Sequence, residues 1–522
     1  MTTGTVTPYR SDPQAGRGGF AQLLRAEWTK FRTVRGQLIG MVVAALVIVL
    51  LGLLTATGSH TSCGGASDVC PALPVGPDGE AVDDTFSFAH RPLSGDGGIT
   101  VRVTSLSGII TYPPPDHDKI VSGVVPWAKA GIIIKDGIRR GSAYAAVMVT
   151  GSHGVRMQHN FTRDAAGRPG GVSAASPRWL RLTRSGDTLT GYESADGRQW
   201  TTVGTARLTG LPATVRVGLF VTSPGDLTVR QADLGGSIQQ VRFTQATAVF
   251  DQVSLEGATP RGEWSRDNVG GAGKTDWERY HRPSGVVESG GTFTVTGSGD
   301  IAPSTEGLSI ETTLSGVLAG LIVVIVVAVL FITAEYRRGL IHITLLASPR
   351  RGRVLTAKAV VIGTVTFVAG LAAAGTVVPV GTRILRADGN PVLPVSTLTE
   401  LRVVAGIAAL LAAAAVFALA LGALFRHSAA AVTAAIVAIV VPHILATASV
   451  LPVGVAQWLL RLTPAAGFAI QQSIPEYAHV LGHHSPQGGY YPLEPWAGLA
   501  VLGGYAVLAL GLAVLRLRRR DA

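Results

Sequence analysis

Charge is scarce in this chain of 522 residues: Asp, Glu, Lys and Arg together make up 15%. Soluble globular chains carry about 25%. The deficit, with a mean hydropathy of +0.36, excludes a fully soluble protein. It also excludes an intrinsically disordered one, which needs high charge and little apolar content. Cysteine is scarcer still, at two residues, which excludes a disulfide-dense scaffold and a four-thiolate zinc site. Acids are outnumbered by bases, 33 against 44, for a formal charge of +11. That balance fits a nucleic-acid partner or one face of a membrane, and the placement of the charges separates the two.

What is present in abundance is long apolar runs. Residues 38–57 and 314–333 carry no charge, and neither do 359–380, 403–424, 429–450 and 497–515. A helix of about 20 residues crosses a hydrocarbon core of about 30 Å. One such run could be a buried helix of a soluble protein, but six define a polytopic membrane protein. We place the spans at 37–57, 313–334, 359–380, 403–424, 429–450 and 497–515. The first follows 36 residues and exceeds the apolar core of a signal peptide, so it is read as a span. A further run, 455–470, is short and holds Arg461 and Pro464. It reads as a broken, re-entrant segment.

Six spans put both termini on one side. The segments sharing that side (1–36, 335–358, the 424–429 connection and 516–522) hold 17 Lys/Arg against 4 Asp/Glu. Residues 58–312 hold 23 against 25. The positive-inside rule then makes the termini cytoplasmic and 58–312 extracellular, in a cell membrane. The basic balance is a topology signal, and no nucleic-acid partner is expected.

The 58–312 segment alternates apolar and polar residues in short runs such as Ile99–Val103 and Val215–Phe220, with turn signals such as Ser185-Gly186-Asp187 between them. This predicts antiparallel β structure, a sandwich or jelly roll. Trp127, Trp179 and Trp200 read as core residues rather than a stacking platform. Cys63 and Cys70 follow the first span. Outside the membrane a disulfide between them is permitted, adding about 2–3 kcal/mol at most.

Several motifs fail. Val269–Thr275 lacks the first glycine of a phosphate loop, Asn268 standing there. His483-His484, and His117 with Asp116 and Asp118, lack a convergent third ligand, so no metal is expected. Asn160-Phe-Thr162 matches only a glycosylation triplet. No Ser/His/Asp or Cys/His arrangement rises above chance, and the chain is not read as an enzyme.

Two cytoplasmic elements carry the functional reading. Phe20–Arg35 reads as an amphipathic helix, with Phe20, Leu23, Leu24, Trp28, Phe31 and Val34 on one arc, suited to the headgroup plane of membrane lipid. Glu27 lies inside that apolar arc, where it calls for Lys30 or a partner protein. The loop 335–353, Glu335-Tyr-Arg-Arg-Gly through Pro349-Arg-Arg351, is basic with an apolar middle, Leu340–Ala347, ready to dock in a groove.

Trp179–Trp200, with Trp127–Asp136 and Ala246–Leu255, resembles the hairpins of laminin-G/concanavalin-A-like sandwiches over roughly 82–256. The loop at Glu335, Leu23–Lys30, Leu421–His427, Leu462–Gly467 and the Arg518-Arg-Arg-Asp-Ala522 tail resemble actinobacterial type-2 ABC exporter permeases over 20–57 and 313–522. Leu340 stands where that family often has Thr, and the large outer insertion departs from its minimal plan. The resemblance implies a six-helix permease with an inserted β-sandwich and no cofactor of its own. It implies a separate ABC ATPase subunit that uses ATP and Mg, a permease homodimer, and an unknown transported substrate. It further implies that Glu27, Lys30, Glu335, Tyr336, Arg337, Arg338, Gly339, Pro349 and Arg351 serve ATPase coupling. Gly316 and Gly320 permit close helix contact. The rival readings are a membrane-anchored carbohydrate-binding or sensing protein, and an outward-facing carbohydrate enzyme using Asp83-Asp84 or Asp116/Asp118.

Overall fold

The computed structural model describes residues 19–61, 72–112, 119–231, 237–258, 262–271, 284–339, 351–448, 450–480, 482 and 484–519. Cys63, Cys70, Asp116, His117, Asp118, His483, the apolar middle of the 335–353 loop and Pro349 lie outside the described residues, as does the side chain of Arg351.

Among the described residues the helical part holds a surface helix, six long apolar helices and a short re-entrant one. The surface helix is α1 (Phe20–Thr33). The spans are α2 (Arg35–Thr57), α3 (Val317–Arg337), α4 (Arg351–Ala387), α5 (Thr397–Phe425), α6 (Ser428–Thr447) and, after the re-entrant helix α7 (Val453–Leu462), α8 (Pro495–Arg519). All six are long and apolar enough to cross a membrane. α4 runs well past the uncharged window 359–380 at both ends and α5 starts well before 403–424, because the polar residues there continue the helical hydrogen bonding. A 3-10 turn, Pro464–Gln471, follows α7 at a bend of 103°. Pro464 can neither donate to the preceding turn nor fit its helix, so the segment breaks there.

Small residues set how closely these helices approach. A Cβ on Gly316 would lie 2.5 Å from the Ile48 carbonyl oxygen, and one on Gly320 2.3 Å from Ile48 Cγ1. These two glycines thus make the contact between α2 and the start of α3 within one chain. A Cβ on Gly498 would likewise sit 2.3 Å from the Ala466 carbonyl, which seats the re-entrant turn on α8. In a bilayer, where apolar burial between helices gains little, such close packing supplies the attraction.

Among the described residues the inserted domain is all β, from Val82 to Pro303. One strand, Phe86–Thr111, serves both of its sheets. Its first half pairs with Thr214–Thr222 and Ser265–Val269; its second half pairs with Arg178–Ser185 and Ser237–Ala258. The change falls at Ser94–Gly97, where Gly95 takes φ +71°, a conformation that side chains resist. All pairings within the two sheets are antiparallel, and the sheets face each other over Leu93, Val101, Ile132, Val147, Leu182, Val217 and their neighbours. The architecture is a β-sandwich between the first two spans.

The sheet holding Lys129–Lys135 and Tyr144–Thr150 is buried on both faces. Its second face packs Phe86, Phe88, Ile133, Tyr144 and Phe220 beneath the chain's own stems. Those stems, Val82–Asp84 and Ile301–Pro303, pair with each other as they leave for the helices. Trp127 is buried and stacks on His153 at 3.9 Å. Trp179 and Trp200 are half-buried outside the core, correcting their expected place: Arg102 lies over one ring and Arg181 over the other.

Candidate functional site

The face of the bundle opposite the sandwich is tied together by four charges from three helices. Glu27 and Lys30 come from α1, Glu335 from the end of α3, and Lys358 from the second turn of α4. Lys358 Nζ donates to Glu27 Oε2 at 2.5 Å and to Glu335 Oε1 at 2.7 Å. Lys30 Nζ donates to Glu27 Oε1 at 2.9 Å and to Glu335 Oε1 at 3.3 Å. Glu27 and Lys358 are fully buried. Two carboxylates and two ammonium groups cancel, which is the condition for burying charge at all.

Local sequence places each of them. Glu27 and Phe31, four residues apart, share the buried stripe of α1. The Phe31 ring meets Phe331 edge-on at 5.6 Å, and Lys358 Nζ lies 4.6 Å from the Phe331 centroid. An aromatic face so placed attracts the ammonium while excluding water. Burial works against the charge on Lys30, but the Glu27 hydrogen bond and the two carboxylates outweigh it and hold the ammonium above the usual lysine value. Glu335 Oε2 is buried and has no hydrogen-bond partner among the described residues.

Three residues singled out from the sequence therefore meet: Glu27, Lys30 and Glu335. Tyr336 turns aside, its ring under the Arg426 guanidinium at 5.3 Å. Arg337, Arg338 and Gly339 lie exposed at the end of α3, within a turn of the cluster. Phe31 was placed on the apolar arc of α1, but Lys358, Phe331 and Arg426 were given no role. The misplaced acid in the apolar arc of α1 was the signal that a buried cation had to exist. Nothing local pointed 331 residues ahead to Lys358.

On the sandwich side, two buried lysines of one strand hold the stems. Lys135 Nζ donates to Asp84 Oδ2 at 2.7 Å, and Lys129 Nζ to Asp300 Oδ1 at 2.6 Å and to the Ile301 carbonyl at 2.7 Å. Burial pulls Lys135 below the usual lysine value despite Asp84. Among the described residues no cluster of three or more His, Cys, Asp or Glu could hold a metal.

Six apolar helices around a shared core, with a surface helix ion-paired to two of them, define a multi-span membrane protein carrying an inserted β domain. The family model of ABC-2 family transporter proteins matches residues 211–522, more than half of the chain. The chain belongs to that family and is a membrane permease of an ABC transporter. The match begins inside the sandwich and takes in the last five spans. No curated protein matches. Among solved structures the chain is similar to a functionally unknown protein from Saccharomyces cerevisiae (15% identity, 39% of this chain and 86% of that one, TM-score 0.22). It is also similar to scytalido-glutamic peptidase with a transition state analog inhibitor (10% identity, 41% and 98%, TM-score 0.25). At such scores neither likeness carries an argument.

Proposed function

We propose that the chain is the membrane-spanning subunit of an ATP-driven exporter, coupled to a separate ATPase at the face that carries the Glu27–Lys30–Glu335–Lys358 cluster. The observation that carries this reading is the cluster itself. It fastens α1 to the ends of α3 and α4, so a push on α1 or on the exposed Arg337-Arg338-Gly339 end reaches two spans at once. The charge bias makes this face cytoplasmic and the sandwich extracellular. ATP and Mg are consumed in the partner, and its closure switches the spans between two packings. A second copy of the permease completes the pathway: α2 turns Leu46, Leu50 and Leu54 outward, 52%, 63% and 67% exposed, to lipid or to that copy.

The carbohydrate-binding alternative gains no support from the sheet nearest the membrane, whose outer face is filled by the chain's own stems. The test is co-expression with a cognate ABC ATPase. A purified complex whose ATPase activity rises over that of the ATPase alone supports the proposal. Absence of a complex, or an unchanged rate, refutes it.

A further inference from the structure

The two stems leave the sandwich side by side, so together they act as one hinge line. A body held on one line can swing. A third, off-line contact would fix it, and the loop between the re-entrant turn and α8 supplies one. That loop begins on the bundle. The Glu311 carboxylate, in the 3-10 turn leading to α3, accepts from the Ser473 amide and from Ser473 Oγ. Arg402 at the start of α5 donates to the Gln472 carbonyl at 2.7 Å.

Seven residues on, the loop reaches the sandwich. The buried His479 ring has Nε2 2.7 Å from the Phe161 carbonyl, and, facing an acceptor, this nitrogen carries the proton. The ring meets Trp127 edge-on at 6.4 Å. The turn it grips is unusual: Asn160 and Phe161 take φ +44° and +62°, a region that non-glycine residues enter only when the surroundings hold them there. From below, the Phe161 ring is fixed against Tyr144 at 4.9 Å. From above, His479 fixes its carbonyl.

We infer that Gln472–His479 is a strut that makes the sandwich follow the transport movement of the bundle, with His479 as the positioning residue at its tip. The inference rests on the transport reading. When the bundle around Gln472 and Ser473 shifts relative to the stems, the strut carries the sandwich about them, unless it breaks at its root on Glu311 and Arg402 or at its tip on Phe161. A rigid sandwich moved in this way is a lever on whatever lies outside the membrane.

The test is hydrogen exchange by mass spectrometry on the full chain in complex with its ATPase in nanodiscs, comparing the nucleotide-free complex with one trapped by ATP and vanadate. In the wild type, peptides over α3 and peptides over Val155–Ala166 should both change exchange on trapping. In His479→Ala the sandwich response should disappear while the α3 response persists. His479→Gln keeps an N–H donor and should restore the response. A sandwich response that survives His479→Ala, or none in the wild type while α3 responds, overturns the strut. If α3 itself fails to respond, or no complex forms, the transport reading has failed and takes the inference with it. Thermal melting of each variant shows that the sandwich remains folded.

Discussion

Lys358→Met removes the cation at the centre of the buried cluster. Met keeps the length and apolar volume of the lysine stem, so the change is electrostatic rather than steric. Glu27 and Glu335 then share only Lys30, whose side chain is 39% exposed. At about 3 Å and an effective dielectric constant of about 20, each lost pair represents about 5 kcal/mol of attraction before desolvation is counted. Measured costs of breaking one partner out of a buried pair are about 3–5 kcal/mol, because the remaining charge is stranded. The expected loss for Lys358→Met is therefore about 3–5 kcal/mol, read as a lowered midpoint of thermal unfolding in detergent. The double variant Glu27→Gln, Lys358→Met leaves Lys30 and Glu335 as a neutral pair and should regain most of it. A Lys358→Met protein within about 1 kcal/mol of wild type, below any buried-pair cost, would refute the cluster as a buried, charged unit. So would a double variant no better than the single.

Other outcomes follow from the same kind of reasoning. Lys135→Met should destabilise the sandwich by about 3–5 kcal/mol, and Lys135→Met with Asp84→Leu by much less, because a buried pair is replaced by apolar packing; differential scanning calorimetry reads both. Gly320→Leu forces a side chain into Ile48 and should cost at least about 1–3 kcal/mol by overpacking, seen as a lowered melting point. His90, His159 and His479 are each held below the ordinary histidine value of 6.5, by burial first in every case. Each takes up a proton more readily when unfolded, so stability is full above about 6.5 and falls as the pH drops below it. A melting point that rises on acidification from pH 7 to pH 5 would contradict this.

The spans were legible because the membrane demands long uncharged runs, and a run is a local property. Their ends were not: α4 carries Arg351–Lys358 before its apolar stretch and Arg383–Ala387 after it, and helix hydrogen bonding ignores that change of solvent. Alternation revealed the sandwich at Ile99–Val103, where one face meets the core. It was silent at Lys129–Lys135 and Tyr144–Thr150, which are buried on both faces and so show no period of two. Glu27 announced a missing cation by lying in an apolar arc. Lys30 answered at three residues' distance, within reach on the same helix. Lys358 could not be found that way, since only the packing of α1 against α4 brings it near. Trp179 and Trp200 looked like core residues by type alone; the register sets Trp179 opposite Arg102, and Arg181 lies over the Trp200 ring, so both are half-buried instead.

Coupling of the cluster's face to an ATPase can be probed through the exposed residues beside it. Arg337→Glu with Arg338→Glu alters two exposed side chains at the end of α3, so stability should stay within about 0.5 kcal/mol of wild type, as for exposed surface changes generally. In a reconstituted complex with the cognate ATPase, this double variant should lose stimulation of ATP hydrolysis or lose the partner altogether. Full stimulation in a stable complex would contradict it.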